Sequence, residues 1–258
     1  GLVGNVVPLN VVSLDSSGTI TINQPITSTS FLTGSAGTTV IDTPTVTTVG
    51  TQSFNNSVLI KQNTVFSTTN SNITFNGTIN SFDGTSARTV GINAGTATVA
   101  INGAVGGSNV LGATSISGGT VNIGASGTIN MGANALTITT NTLDIGASIT
   151  GSSTLTIAPK TVTTTIGLGT LATGDLHLND TELGRLTNGF SSITFGSALA
   201  TGKITVAEYT YLDNIKLLNY GASSGGIEFI APVSVGSNNL TLYTTGTVTQ
   251  EIGRASCR

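Results

Sequence analysis

His177 is the only histidine of the chain. It sits in the run Asp175-Leu176-His177-Leu178-Asn179-Asp180-Thr181-Glu182. An imidazole oriented by a neighbouring carboxylate is the arrangement of a general base, and carboxylates such as Asp175, Asp180 and Glu182 can divide acid and base duties in glycosidic cleavage. Each group also has a plainer role. His177 alternates with Leu176 and Leu178, which places it on the outward face of a short strand beside solvated acids. Asp180-Thr181-Glu182-Leu183 has the composition of a capped, single helical turn between strands. With one Cys and one His in the chain, and no calcium-loading Gly-Gly-x-Gly-x-Asp repeat, the side chains for a metal site are missing. No catalytic, cofactor-binding or metal-ligating residue is therefore assigned, no cofactor is expected, and the chain is read as non-enzymatic. The sequons at Asn55, Asn72, Asn76, Asn179 and Asn239 follow from a sequence rich in Asn and Thr.

The elements that position these residues must be short strands. Only 7% of the 258 residues are charged, 38% are hydrophobic and roughly a fifth are threonine. β-Branched Thr, Val and Ile favour extended backbone, Gly and Asn favour turns, and strong helix formers are scarce, so a helical protein is excluded. Disorder is excluded as well: it pairs low hydrophobicity with high net charge, whereas the net charge here is −3 and the mean hydropathy +0.30. Eight basic residues, scattered and not clustered, argue against nucleic acid. No apolar run approaches the roughly 18 residues of a membrane-spanning helix. Without Trp and with 5% aromatics, the core is expected to be thin and aliphatic.

Apolar pairs at alternate positions recur along the chain, among them Ile73/Phe75, Val99/Ile101, Leu143/Ile145, Leu155/Ile157, Ile193/Phe195, Ile215/Leu217 and Ile227/Phe229. A turn phrase follows several of them. It reads Ile22-Asn23-Gln24-Pro25-Ile26, Phe54-Asn55-Asn56-Ser57-Val58, Phe75-Asn76-Gly77-Thr78-Ile79 and Ile101-Asn102-Gly103-Ala104-Val105, with relatives beginning at Ile123 and Ile145. The anchors are 32, 21, 26, 22 and 22 residues apart. A repeat of that size made only of short strands cannot bury its apolar face alone, so copies must stack. The expected fold is all-β, a right-handed parallel β-helix over residues 1–250 with about 20–26 residues per rung. That gives roughly eleven rungs, about 50 Å of rod, with outward Thr and Asn in ladders. Open rungs at both ends of such a rod are expected to associate end to end. The competing topology is an antiparallel hairpin array, because Asn76-Gly77 and Asn102-Gly103 are strong two-residue turn signals.

Composition changes abruptly over 251–258, which holds two of the eight basic residues and the only Cys, Cys257. The string from Ile252 to Arg258 resembles the conceptual translation of a DNA-sequencing adapter and is set apart from the fold. The remainder is acidic and free of cysteine, which suits export across a bacterial envelope. Beginning at Gly1 and lacking a signal peptide, it is read as an internal fragment of a larger protein.

Three stretches resemble the β-helical exoproteins of the filamentous haemagglutinin type, passengers of two-partner secretion systems and related autotransporter adhesins. Thr51-Gln52-Ser53-Phe54-Asn55 through Val105-Gly106-Gly107 is similar to the family's repeated glutamine, aromatic, asparagine phrase that ends in an Ala-Val-Gly-Gly turn. Asp180-Thr181-Glu182-Leu183-Gly184-Arg185-Leu186 resembles a recurrent Asp-x-Glu-Leu-x-Arg-Ile rung, with Gly184 where an Asp is common. Asn239-Leu240-Thr241-Leu242 to Gln250 is similar to a frequent closing rung. The resemblance implies a secreted or bacterial cell-surface location, export through an outer-membrane transporter, and a role as structural stalk or adhesive segment. Its partner would be a glycan or protein on a host or neighbouring cell. The family's amino-terminal secretion domain is not in this sequence. Two other roles share the composition, a trimeric phage tail fibre or tailspike and a polysaccharide-active enzyme on the same scaffold.

Overall fold

The computed structural model describes residues 7–251; the adapter-like run from Ile252, with Cys257, lies outside the described residues. Within them the chain winds through about eleven turns of a parallel β-solenoid with three faces. Face A stacks Thr45–Thr48, Thr64–Thr68, Val90–Asn93, Thr114–Ser117, Leu136–Thr139, Thr154–Ala158, Ser192–Ser197, Ile215–Asn219 and Leu240–Thr244. Face B begins with Gln52–Phe54, Ile73–Phe75, Thr98–Ile101, Thr120–Ile123 and Thr142–Ile145. Face C begins with Thr19–Ile22, Thr38–Ile41, Ser57–Ile60 and Ile79–Ser81. The long strand Ile26–Thr33 turns the corner from A to B, pairing with Thr45–Thr48 through its first half and Gln52–Phe54 through its second.

Every strand pairing among the described residues is parallel, which overturns the hairpin alternative. Asn76-Gly77 and Asn102-Gly103 mark corners of the coil, and the glycines serve close stacking there. A Cβ on Gly77 would stand 2.1 Å from the Asn56 carbonyl oxygen, and one on Gly103 would stand 2.2 Å from that of Gly77. The asparagines beside them form the expected ladder. Asn76 donates from Nδ2 to Asn55 Oδ1 at 2.7 Å, and Asn102 donates to Asn76 Oδ1 at 2.8 Å.

Repeat anchors Phe54, Phe75, Ile101, Ile123 and Ile145 lie in one register on face B. Ile22 does not belong with them. It aligns with Ile41 and Ile60 on face C, which explains why its spacing to Phe54 is longer than the rest. The core also departs from the thin aliphatic expectation. Phe31, Phe54 and Phe75 form a column in the first turns, with Phe54 and Phe75 stacked at 4.7 Å and Phe66 from face A set edge-on to both. Ile and Leu fill the later turns, with Phe195 the one fully buried aromatic there. Buried polar groups sit at corners, where the backbone leaves the ladders and needs partners. Asn56 Oδ1 accepts from the Thr33 and Thr39 hydroxyls, both at 3.0 Å, and Gln52 Nε2 donates to the Val46 and Ser67 carbonyls at 2.9 and 2.8 Å.

Candidate functional site

One turn departs from the repeat, and it is the turn that carries His177. On face A, successive aligned residues Val46, Phe66, Ile92, Ile116, Ile138 and Ile157 lie 19 to 26 residues apart, yet Ile157 aligns with Phe195, 38 residues on. The extra chain is a local strand pair. Ile166–Leu168 and Leu176–Leu178 lie parallel on face B, offset by ten residues so that Gly167 faces His177. Such a short parallel return requires the backbone to pass very close to itself. A Cβ on Gly174 would stand 2.3 Å from Gly167 N.

Threonine and aspartate lock both ends of this pair. Thr165 Oγ1 donates to Asp175 Oδ2 at 3.0 Å and accepts from Asp175 N at 3.0 Å. Five residues on, Thr170 N donates to Asp180 Oδ1 at 2.8 Å and Thr170 Oγ1 accepts from Asp180 N at 3.2 Å. His177 is half-buried, with Nε2 3.0 Å from the Gly169 carbonyl oxygen, so it fastens the connecting loop and is less open to solvent than its strand position predicts. The helical turn is present as Asp180–Leu183, but Asn179 caps it, one residue earlier than the composition indicated. Asn179 Oδ1 accepts from Glu182 N at 3.1 Å, and Glu182 Oε2 accepts from Asn179 N at 3.0 Å, a reciprocal capping box.

Glu182 does more than cap. It is buried, and its Oε1 accepts from Ile145 N at 3.2 Å while the Arg185 guanidinium donates to Ile145 O. One turn of helix thus presents an acceptor and a donor, three residues apart, to both backbone groups of a single residue at the edge of Thr142–Ile145. The sequence reading missed both the clamp and the inserted strand pair. A clue existed for the strand pair alone, the recurrence of Thr165-Ile-Gly-Leu-Gly-Thr170 as Asp175-Leu-His-Leu-Asn-Asp180, which announces two equivalent strands.

The structure therefore brings Asp175, His177, Asp180 and Glu182 into one feature but assigns them separate backbone partners. No group of three or more His, Cys, Asp or Glu converges among the described residues. Clefts flank the feature. One of about 330 Å³ lies between Thr170, Leu171 and Asp180 on one side and Ala207, Glu208, Tyr209 and Thr210 on the other. Tyr209 and Tyr211 meet edge-on at 4.9 Å; Tyr220, close in sequence, is exposed beyond Ile215–Asn219 and shares no ring contact with them. Burial and the nearby Asp180 carboxylate raise the Tyr209 hydroxyl above its ordinary range.

One further motif escaped the sequence reading. Gly221-Ala222-Ser223-Ser224-Gly225 matches Gly-x-Ser-x-Gly, and Ser223 has φ 59°. That pattern activates serine where it turns a strand into a helix beside a histidine. Here it turns Ile215–Asn219 toward Ile227–Phe229, both strands, and the only histidine is committed to the Gly169 carbonyl. Searches for related family models, curated proteins and solved structures return no match to this chain.

Proposed function

We propose that the chain is a stalk or adhesive segment of a large bacterial exoprotein, secreted or held at the cell surface and exported through an outer-membrane transporter. Its work is mechanical: it spaces binding regions from the cell and offers repeated polar faces to a glycan or protein partner for multivalent contact. One observation carries the reading, the unbroken ladder of face A from Ile26–Thr33 to Leu240–Thr244. A single hydrogen-bonded strip running turn after turn is suited to a load-bearing spacer. The residues most suggestive of chemistry are spent on hydrogen bonds within the coil, which favours a structural over an enzymatic role.

The test is genetic and physical together. The complete reading frame should encode a secretion domain or adjoin a transporter gene, and deleting whole turns from the full-length protein should shorten the surface projection by about 4.8 Å per turn in electron micrographs. A frame with neither feature, or a projection whose length ignores the deletion, removes the reading.

A further inference from the structure

The turn that carries the inserted strand pair is also where the ladders fail to continue. Face A passes through it intact, Thr154–Ala158 pairing with Leu136–Thr139 on one side and Ser192–Ser197 on the other. On face B, Thr142–Ile145 packs against Leu176–Leu178, yet no ladder joins them among the described residues. On face C, Leu186 bridges to Ile149, while Tyr209–Thr210 pairs only onward, to Val233–Ser234. The insert also unbalances the faces. From this turn onward face B carries Leu176–Leu178, Ile166–Leu168, Ile204–Val206, Ile227–Phe229 and Val248–Gln250, five strands, against four on face A.

Side chains close what the ladders leave open. On face B the closure is the Glu182 and Arg185 clamp on Ile145. On face C it is Asp213 Oδ1, which accepts from Gly189 N at 2.9 Å, beside a cavity of about 60 Å³ among Leu183, Leu186, Tyr209 and Tyr211. The Tyr211 hydroxyl is buried with no protein partner. Backbone bonds still join face C before this turn, Ile149 N donating to Arg185 O at 2.9 Å, and face B after it, Ile166–Leu168 pairing with Ile204–Val206, so on each side one face of three is closed by side chains alone. That closure and an imperfectly filled cavity are worth less than three continuous ladders over a packed core.

We propose that this turn is a built-in joint. The clamp on Ile145 holds shut a seam that opens at lower free energy than other inter-turn contacts, with face A as the continuous strip about which the segments before Thr150 and after Ser192 flex. The joint goes beyond the stalk reading and does not depend on where the chain is displayed. It gives a stiff rod one place to yield, drawn from the low end of the local-stability range.

Hydrogen exchange on the intact chain tests it, read by mass spectrometry on peptides along the rod. In the wild type, peptides covering 143–149 and 183–187 are expected to exchange together, at least tenfold faster than the aligned stretches 121–129 and 73–79. Glu182→Ala is expected to speed the 183–187 and 209–213 peptides a further tenfold or so, including face C amides that Glu182 does not touch, while leaving 73–101 unchanged. Glu182 accepts with both oxygens, from Ile145 N and from Asn179 N; Glu182→Gln keeps one acceptor of the two and should fall between the wild type and Ala. Uniform protection along the wild-type rod overturns the joint. So does a Glu182→Ala effect spread evenly over all turns, or a Gln variant that behaves like Ala. Should Glu182→Ala not fold, Arg185→Ala, which leaves the capping box intact, is read by the same peptides.

Discussion

Tyr211 shows how a single buried side chain sets a measurable property of the rod. Burial first, then the neighbouring Tyr209 and Asp180, push its hydroxyl well above the ordinary value of 10.0. The folded chain therefore keeps this proton to higher pH than the unfolded chain does. The stability involved is intact below about pH 10 and is lost as pH rises through the folded value, so the melting temperature should fall on the alkaline side. Because the hydroxyl has no protein partner, Tyr211→Phe should leave stability at pH 7 within about 1 kcal/mol or raise it, and should flatten the alkaline fall. A loss above about 2 kcal/mol in denaturant titration would show instead that the hydroxyl is satisfied in solution. Asn76 works the other way, since it links Asn55 to Asn102. Asn76→Ala breaks both links, and because they are exposed the expected cost is only about 1 kcal/mol, seen as a shift in urea midpoint without a change in slope.

At the scale of elements, what local sequence reveals is the strand and its corner, and what it hides is the face. Phe54, Phe75, Ile101, Ile123 and Ile145 are legible as one register because period-two alternation followed by Asn or Gly recurs at each of them. Ile22 carries the same phrase on another face, since a three-sided coil uses one alternation pattern three times per turn. The Phe column was hidden for the same reason: Phe66 reaches Phe54 and Phe75 from face A, and only closure of the coil brings them together. The clamp was beyond local reading altogether, because Glu182 and Ile145 are 37 residues apart. The inserted pair offers a direct test of register. Deleting Ile166–Asp175 joins Thr165 to Leu176 and keeps the ten-residue offset, so Leu176 and Leu178 should inherit the inward positions of Ile166 and Leu168. That variant should fold, with near-wild-type circular dichroism. Deleting one residue fewer turns those leucines outward, exposing two side chains worth about 1.5–3 kcal/mol each, and should lower the melting temperature sharply. Equal stability for the two deletions would mean that the pair does not take its register from face B.

At the scale of the whole molecule, each turn touches only its neighbours, and that decides how damage travels. Stability in such a stack is close to a sum of turn and interface contributions along one dimension. In the aromatic column of the first turns, neighbouring rings lie 4.7–5.2 Å apart. Phe75 is fully buried, stacked on Phe54 and edge-on to Phe66. Phe75→Ala leaves a cavity there and should cost about 3–5 kcal/mol locally. In a sandwich or barrel with one shared core, a loss of that size would lower protection everywhere. In this coil the loss should fall on peptides spanning 52–101, fade over the next turn or two, and leave 204–229 with wild-type exchange. The contrast is sharpened by position, because the turn with interrupted ladders lies between the two regions and only face A carries a ladder right through it. A Phe75→Ala protein that loses protection equally at both ends would show that the turns unfold as one cooperative unit, and with it would go the argument that this chain behaves as a stack of nearly independent coils.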